Sequence, residues 1–206
     1  MDPREAIVAA GARLGRRGLI AAGEGNLSMR LDGETLLVTP SGRRKDELAP
    51  WDLVEVPLDP GPGEGGGDGP RPSSDIAIHR AIYRARPDVT AIAHAHLVST
   101  MALTLVGETP DPSVLPETAL LLPVLPVVPY DAPGSEALAR RIAAALAPGS
   151  GTVPQAVVLE RHGAIAVGSA IEQAVDRLEL VDVLCRTWRD ARLLAPDRRP
   201  GPPASA

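Results

Sequence analysis

The sequence contains no phenylalanine, and its aromatic residues are only two tryptophans and two tyrosines. Its core must therefore be built from Ala, Val, Leu and Ile, which dominate a hydrophobic content of 44%. Over 206 residues that is enough for one domain with a full core. Cysteine occurs once, at Cys185, which excludes an internal disulfide framework and points to a reducing, cytoplasmic setting. Free cysteines are usually buried, so Cys185 reads as a small hydrophobe on a helix. Basic residues are outnumbered, 21 against 26 acidic ones, and no basic patch is visible. A nucleic-acid partner is thereby disfavoured, because phosphate-backbone binding needs such a patch. Long apolar runs are also lacking. The most apolar stretch, residues 113–130, is broken by four prolines and is unsuited to spanning a membrane. Asp2, Pro3, Arg4 and Glu5 do not make a secretory n-region. A soluble, cytoplasmic protein without membrane contact is expected.

Apolar spacing predicts a helix over 6–19, with Ile7, Ala10, Leu14 and Gly18 along one side. Strands are expected at 27–31 and 35–38, joined by a turn at Asp32-Gly33, and a third at 51–58. Residues 59–71 are almost all Gly, Pro, Glu and Asp, and read as a flexible loop. A helix over 73–84 follows, with Ser73 or Ser74 as N-cap and Asp75 at the positive end of its dipole. The remainder reads as a buried strand at 89–96, a helix at 97–105, and a short helical piece leading to a strand at 124–128. A helix at 135–146, strands at 156–159 and 164–167 around a turn, and a long helix at 171–194 complete the pattern. A single domain over 1–195 and a disordered tail over 196–206 are expected. Strands and helices alternate irregularly after an early hairpin. The class is α/β, with a mixed sheet covered by helices on its faces.

The chemistry lies in four histidines and three loops. In Ala91-Ile92-Ala93-His94-Ala95-His96 the strand period sends both imidazoles to one face, with Cα atoms roughly 6.6 Å apart. Two bare imidazoles among small apolar neighbours are costly unless hydrogen-bonded or metal-bound. His162, in a tight turn before Gly163, supplies a third ligand. Three protein ligands with a fourth position open is the usual arrangement of catalytic zinc. His79, one turn after Asp75, reads as a helix-face histidine bonded to a neighbour rather than a ligand. Gly23-Glu24-Gly25-Asn26, Thr39-Pro40-Ser41-Gly42 and Ser73-Ser74 each offer N–H or hydroxyl groups to an anion. Turns and caps use the same residues, so only the three together suggest a phosphorylated ligand.

Six motifs in order carry a resemblance: Gly25-Asn26-Leu27-Ser28-Met29-Arg30, Thr39-Pro40-Ser41-Gly42, Pro72-Ser73-Ser74-Asp75, His94-Ala95-His96, Pro129-Tyr130 and His162-Gly163. Over about residues 6–194 the chain resembles the class II aldolase and adducin head family, and most of all its L-fuculose-phosphate aldolase members. The resemblance implies a three-layer α/β/α fold around a mixed, mostly antiparallel sheet. It implies zinc on His94, His96 and His162, with Asp75 as a further potential ligand and manganese or cobalt as alternatives. Substrate phosphate would be held at Gly25, Asn26, Ser41, Gly42, Ser73 and Ser74. Asp75 would shuttle a proton and Tyr130 would handle the aldehyde-side proton. The implied reaction is cleavage of a ketose 1-phosphate to dihydroxyacetone phosphate and an aldehyde, by a homotetramer with sites at subunit boundaries. The resemblance departs at one point: the family's aldolases carry Glu where this chain has Asp75, whereas its ribulose-phosphate epimerases carry Asp there. A 4-epimerase of a pentulose 5-phosphate and a thio-sugar-phosphate dehydratase are the enzymatic alternatives. An adducin-like scaffold is the non-enzymatic one, disfavoured because that branch has lost its metal histidines.

Overall fold

A computed structural model describes residues 2–61 and 69–201. Residues 62–68 of the expected flexible loop and 202–206 of the expected disordered tail lie outside the described residues. Helix α1 (Pro3–Arg16) is capped by Asp2, whose carboxylate accepts from the Arg4 N–H at 2.9 Å, and Pro3 sits where no helix bond is lost. The helix stops short of 19 because Gly18 takes φ +67° and leaves the apolar stripe.

Strands β1 (Asn26–Arg30) and β2 (Thr35–Val38) form the expected hairpin. Asp32 closes it by accepting from the Glu34 and Thr35 N–H groups at 2.8 and 2.7 Å. The strand expected at 51–58 begins late. Pro50–Asp52 forms a 3-10 turn held by the Asp52 carboxylate on the Ala49 N–H, which leaves Trp51 81% exposed. Strand β3 is therefore only Val54–Pro57. Helix α2 (Ile76–Ala85) also begins later than expected, and neither Ser73 nor Ser74 is its N-cap. Asp75 holds that position, yet its side chain makes no capping bond.

Strand β4 (Ala91–Ala95), helix α3 (Val98–Leu105) and helix α4 (Pro116–Leu121) follow. The strand expected over 124–128 shrinks to β5 (Val127–Val128), because Pro126 and Pro129 have no N–H to give a ladder. Helix α5 (Glu136–Leu146) starts at Ser135, whose hydroxyl accepts from the Leu138 N–H at 3.1 Å. Strands β6 (Ala156–Leu159) and β7 (Gly163–Gly168) and helix α6 (Ile171–Leu194) fall where the pattern placed them.

The seven described strands form one sheet in the order β3-β2-β1-β4-β7-β6-β5. Every neighbouring pair is antiparallel except the parallel β5 and β6. Period-two alternation sends Leu27, Leu37, Ala93 and Ala164 toward α1, α3 and α6. It sends Leu36, Ile92, Val157 and Ile165 toward α2 and α5. The fold is thus the three-layer α/β/α arrangement with a mixed, mostly antiparallel sheet. Alanines at 91, 93, 95, 164 and 166 leave room for α6 to lie close, and Trp188 fills the space beside it. Cys185 is buried on α6 as a small hydrophobe, and burial pushes its thiol up to about 12. No helix among the described residues is long and apolar enough to cross a membrane.

Candidate functional site

The central strand β4 and the β6–β7 turn bring three histidines together. His94 pairs across the sheet with Asn26 on one side and Ile165 on the other, while His96 follows just past the strand end. His162 sits in the turn between Leu159 and Gly163. Ring centroids are 5.0 Å apart for His94–His96, 5.0 Å for His94–His162 and 4.7 Å for His96–His162. One ligand atom from each lies within 4.8 Å of the others.

Backbone geometry makes this convergence depend on Gly163. Its φ is +112°, and a Cβ there would meet the Ala95 carbonyl oxygen at 2.2 Å. Arg161, with φ +60°, takes the left-handed bend one residue before His162. Gly163→Ala is expected to cost about 2–4 kcal/mol through strain and clash. Thermal denaturation should then fall by roughly 5–15 °C. An unchanged melting temperature would show that the turn tolerates the methyl group.

The donor set fits a divalent ion. His94 is 1% exposed, and its Nδ1–H donates to the Ala164 carbonyl at 2.9 Å. That bond fixes the tautomer and leaves Nε2 with a bare lone pair. Three buried side-chain polar atoms among the described residues have no hydrogen-bond partner, and two of them are His94 Nε2 and His162 Nδ1. A buried orphan of this kind costs about 1–3 kcal/mol, which a bound cation would offset. Burial, followed by the charge of His96, holds His94 down at about 3; the same two effects lower His162. Both imidazoles are therefore neutral near pH 7, the form that binds metal.

Beside the histidines lies a pocket of about 320 Å³. Its wall holds all six expected phosphate residues: Gly25, Asn26, Ser41, Gly42, Ser73 and Ser74. Asp75, His96 and His162 line it as well. Gly25, at φ +68°, places its Cα where a Cβ would stand 2.7 Å from the His94 carbonyl oxygen, so the loop closes directly against the strand that carries His94. Asp75 Oδ2 accepts from the Asn26 amide at 2.9 Å and stands 3.9 Å from His94 Nε2. This explains the unused helix cap: the carboxylate is turned into the pocket instead.

His94 does not line the pocket but belongs to the histidine cluster beside it; Tyr130 is the one expected site residue found in neither. Its side chain is 55% exposed, and its backbone N–H donates to Glu160 at 2.9 Å. Two pocket cations were not anticipated. Lys45 is 2% exposed and its Nζ donates to the carbonyls of Gly23 and Arg43 at 2.7 Å each, tying together the two loops that carry Gly25-Asn26 and Ser41-Gly42. Burial lowers its pKa while Asp75 raises it. Arg161 lines the same wall. Lys45 is placed only by the long-range fold, whereas Arg161 is carried in by the turn it shares with His162. His79 is fully buried and bonded to Asn26 and Ser28, as a helix histidine with neighbours rather than a ligand.

Comparison with known proteins agrees with this geometry. Residues 5–189 match the model of the Class II Aldolase and Adducin N-terminal domain. Methylthioribulose-1-phosphate dehydratase of Acidiphilium cryptum is 35% identical over 191 residues, covering 86% of this chain and 85% of that protein. The 3-oxo-tetronate 4-phosphate decarboxylase of Cupriavidus necator is 32% identical, covering 90% and 82%. L-fuculose-1-phosphate aldolase from Thermus thermophilus superposes with a TM-score of 0.81 at 29% identity, over 96% of this chain and all of that one. The likeness to the fuculose aldolase is thus shared with a dehydratase and a decarboxylase. With the family model matched across nearly its whole length, the chain belongs to the class II aldolase and adducin family.

Proposed function

We propose that the chain is a metal-dependent lyase, zinc being the first choice, that cleaves a ketose 1-phosphate to dihydroxyacetone phosphate and an aldehyde. The observation that carries this reading is the placing of His96, His162 and Asp75 on the same pocket wall as the anion-binding loops. The three relatives' names add a chemical argument. Methylthioribulose 1-phosphate, fuculose 1-phosphate and 3-oxo-tetronate 4-phosphate all carry a ketone next to a phosphorylated CH₂ group. Aldol cleavage, dehydration and decarboxylation of such compounds each place negative charge on the carbon across the ketone from that group. A site that holds the phosphate and stabilises this enediolate serves all three.

His94, His96 and His162 would hold the ion, and a divalent ion so held supplies Lewis-acid polarisation of the ketone. The loops at 25–26, 41–42 and 73–74 would fix the phosphate through N–H and hydroxyl groups. Lys45 keeps the first two loops in register. Asp75 would return a proton to the enediolate carbon in cleavage and remove it in condensation. Tyr130 would manage the aldehyde-side proton, a role supported by the resemblance alone. The homotetramer rests on the resemblance alone.

Dehydration of a ketose 1-phosphate is the second reading. It is favoured by the 35% identity to the dehydratase and by the position of Tyr130 outside the pocket. A panel of ketose 1-phosphates incubated with metal-loaded protein separates the two. Release of dihydroxyacetone phosphate supports cleavage, whereas loss of one water with the carbon chain intact supports dehydration. Inorganic phosphate should compete with substrate. Equal turnover of free sugars and their phosphates would remove the phosphate assignment.

A further inference from the structure

Behind Asp75 runs a chain of buried polar side chains of which the reaction as described uses only Asn26. Tyr83 and Ser28 are linked at 2.9 Å between hydroxyls, and Ser28 Oγ lies 2.6 Å from His79 Nδ1. His79 Nε2 lies 2.5 Å from Asn26 Oδ1, and Asn26 Nδ2 lies 2.9 Å from Asp75 Oδ2. None of the five residues is more than 7% exposed. The sheet builds the chain: Asn26 and Ser28 share the face of β1 that looks toward α2. His79 and Tyr83, four residues apart on α2, face back at them.

The direction of the chain follows from its acidic end. An ionised carboxylate only accepts, so Asn26 must turn its NH₂ group to Asp75. Its Oδ1 then needs a donor, which His79 gives only as the Nε2–H tautomer. The bare Nδ1 accepts from the Ser28 hydroxyl, and the Ser28 oxygen accepts from Tyr83. This one direction satisfies every bond. Flipping the amide would set its oxygen against the carboxylate and face its NH₂ toward the Nε2–H. Burial holds the His79 ring down at about 4, so it is neutral near pH 7, with one donor and one acceptor.

We propose that His79 is a positioning residue: it locks the Asn26 amide in the orientation that aims the Asp75 carboxylate and leaves the amide's second N–H for the anion in the pocket. Asn26 then couples the two halves of the site, since one side chain serves both the proton shuttle and the phosphate wall. The kinetic consequence rests on the role of Asp75 proposed above; the geometric one does not. An apolar residue would fill the same space under α2 with no need of partners. The histidine is explained by the specific pair of atoms it offers.

Nitrogen-15 NMR of histidine-labelled, metal-loaded protein tests the direction of the chain, with His79 assigned by its loss in His79→Gln. The expected result is the Nε2–H tautomer with a ring proton protected from exchange; an Nδ1–H tautomer would overturn the proposal. His79→Gln places an amide nitrogen near the Nε2 position, whereas His79→Asn reaches only toward Ser28. The Gln variant should keep kcat within about threefold, and the Asn variant should lose on the order of 10²-fold, as misplacement of a reacting group by about 1 Å does. Phosphate affinity by calorimetry should be parental in the first and weakened in the second, with bound metal unchanged in both. Equal kcat and phosphate affinity in the two variants would reduce His79 to packing. Should the parent turn over no ketose phosphate, the proposed reaction fails, while tautomer and phosphate affinity still decide the role of His79.

Discussion

Replacing His162 with alanine is expected to lower bound divalent metal from about one ion per chain to less than a tenth of that. Even residues that only support a metal ligand change affinity 10–100-fold when mutated, so removing a ligand should exceed that range. The same loss is expected for His94→Ala and His96→Ala, because one atom of each lies within 4.8 Å of the others. His94→Ala also removes a ring from the fully paired centre of the sheet, so its melting temperature should be followed in parallel. His162, in a surface turn with its backbone held by the Leu159 carbonyl, separates metal loss from unfolding more cleanly. His79→Ala lies outside the cluster and should keep its ion. Elemental analysis of dialysed protein checks the series. Parental metal content in the His162 variant would dismantle the three-ligand site.

The second large effect concerns Asp75. Asp75→Asn keeps the shape of the side chain and an oxygen that can accept from the Asn26 amide at the position now 2.9 Å away. It removes the group that carries a proton. Turnover should fall by roughly 10²–10⁴-fold, the range for proton transfer by a placed side chain. Metal content should stay near parental, because the histidines supply the three ligands. Aspartate reaches about 1.5 Å less far than glutamate. Asp75→Glu should therefore keep partial activity and bind metal more tightly. The measurement is kcat beside metal stoichiometry for both variants. Parental kcat in Asp75→Asn would leave Asp75 a loop residue and send the search for the shuttle elsewhere.

How much of this was legible in the sequence depended on the range of the forces involved. Strand alternation is local, so His94-Ala95-His96 disclosed two ligands facing one way, and the β-branched run before His162 disclosed a strand end. A mixed sheet with helices on its faces followed from period and spacing, and the three-layer, mostly antiparallel form from the resemblance. Errors gathered where a side chain is used outside its local habit. Ser73 and Ser74 look like helix caps, but the helix waits until Ile76 because Asp75 points its carboxylate at Asn26 instead. Residues 51 and 52 look extended, yet Pro50 and the Asp52 carboxylate fold them into a 3-10 turn. Lys45 and the Tyr83–Ser28–His79 chain were invisible because they need the register of β1 against β4 and the rotation of α2. Tyr130 was placed by its motif, and the motif alone could not say whether its ring enters the pocket.

The most direct test of the account is the initial rate on a ketose 1-phosphate against bound metal per chain, as chelator-stripped protein is reloaded. If the three histidines hold the ion that the reaction needs, the rate starts near zero. It should then rise in proportion to metal and level off at about one ion per chain. The His162→Ala variant should stay near zero throughout. Full turnover by metal-free protein, or by the His162 variant, would contradict the central claim that this pocket works through its three-histidine ion.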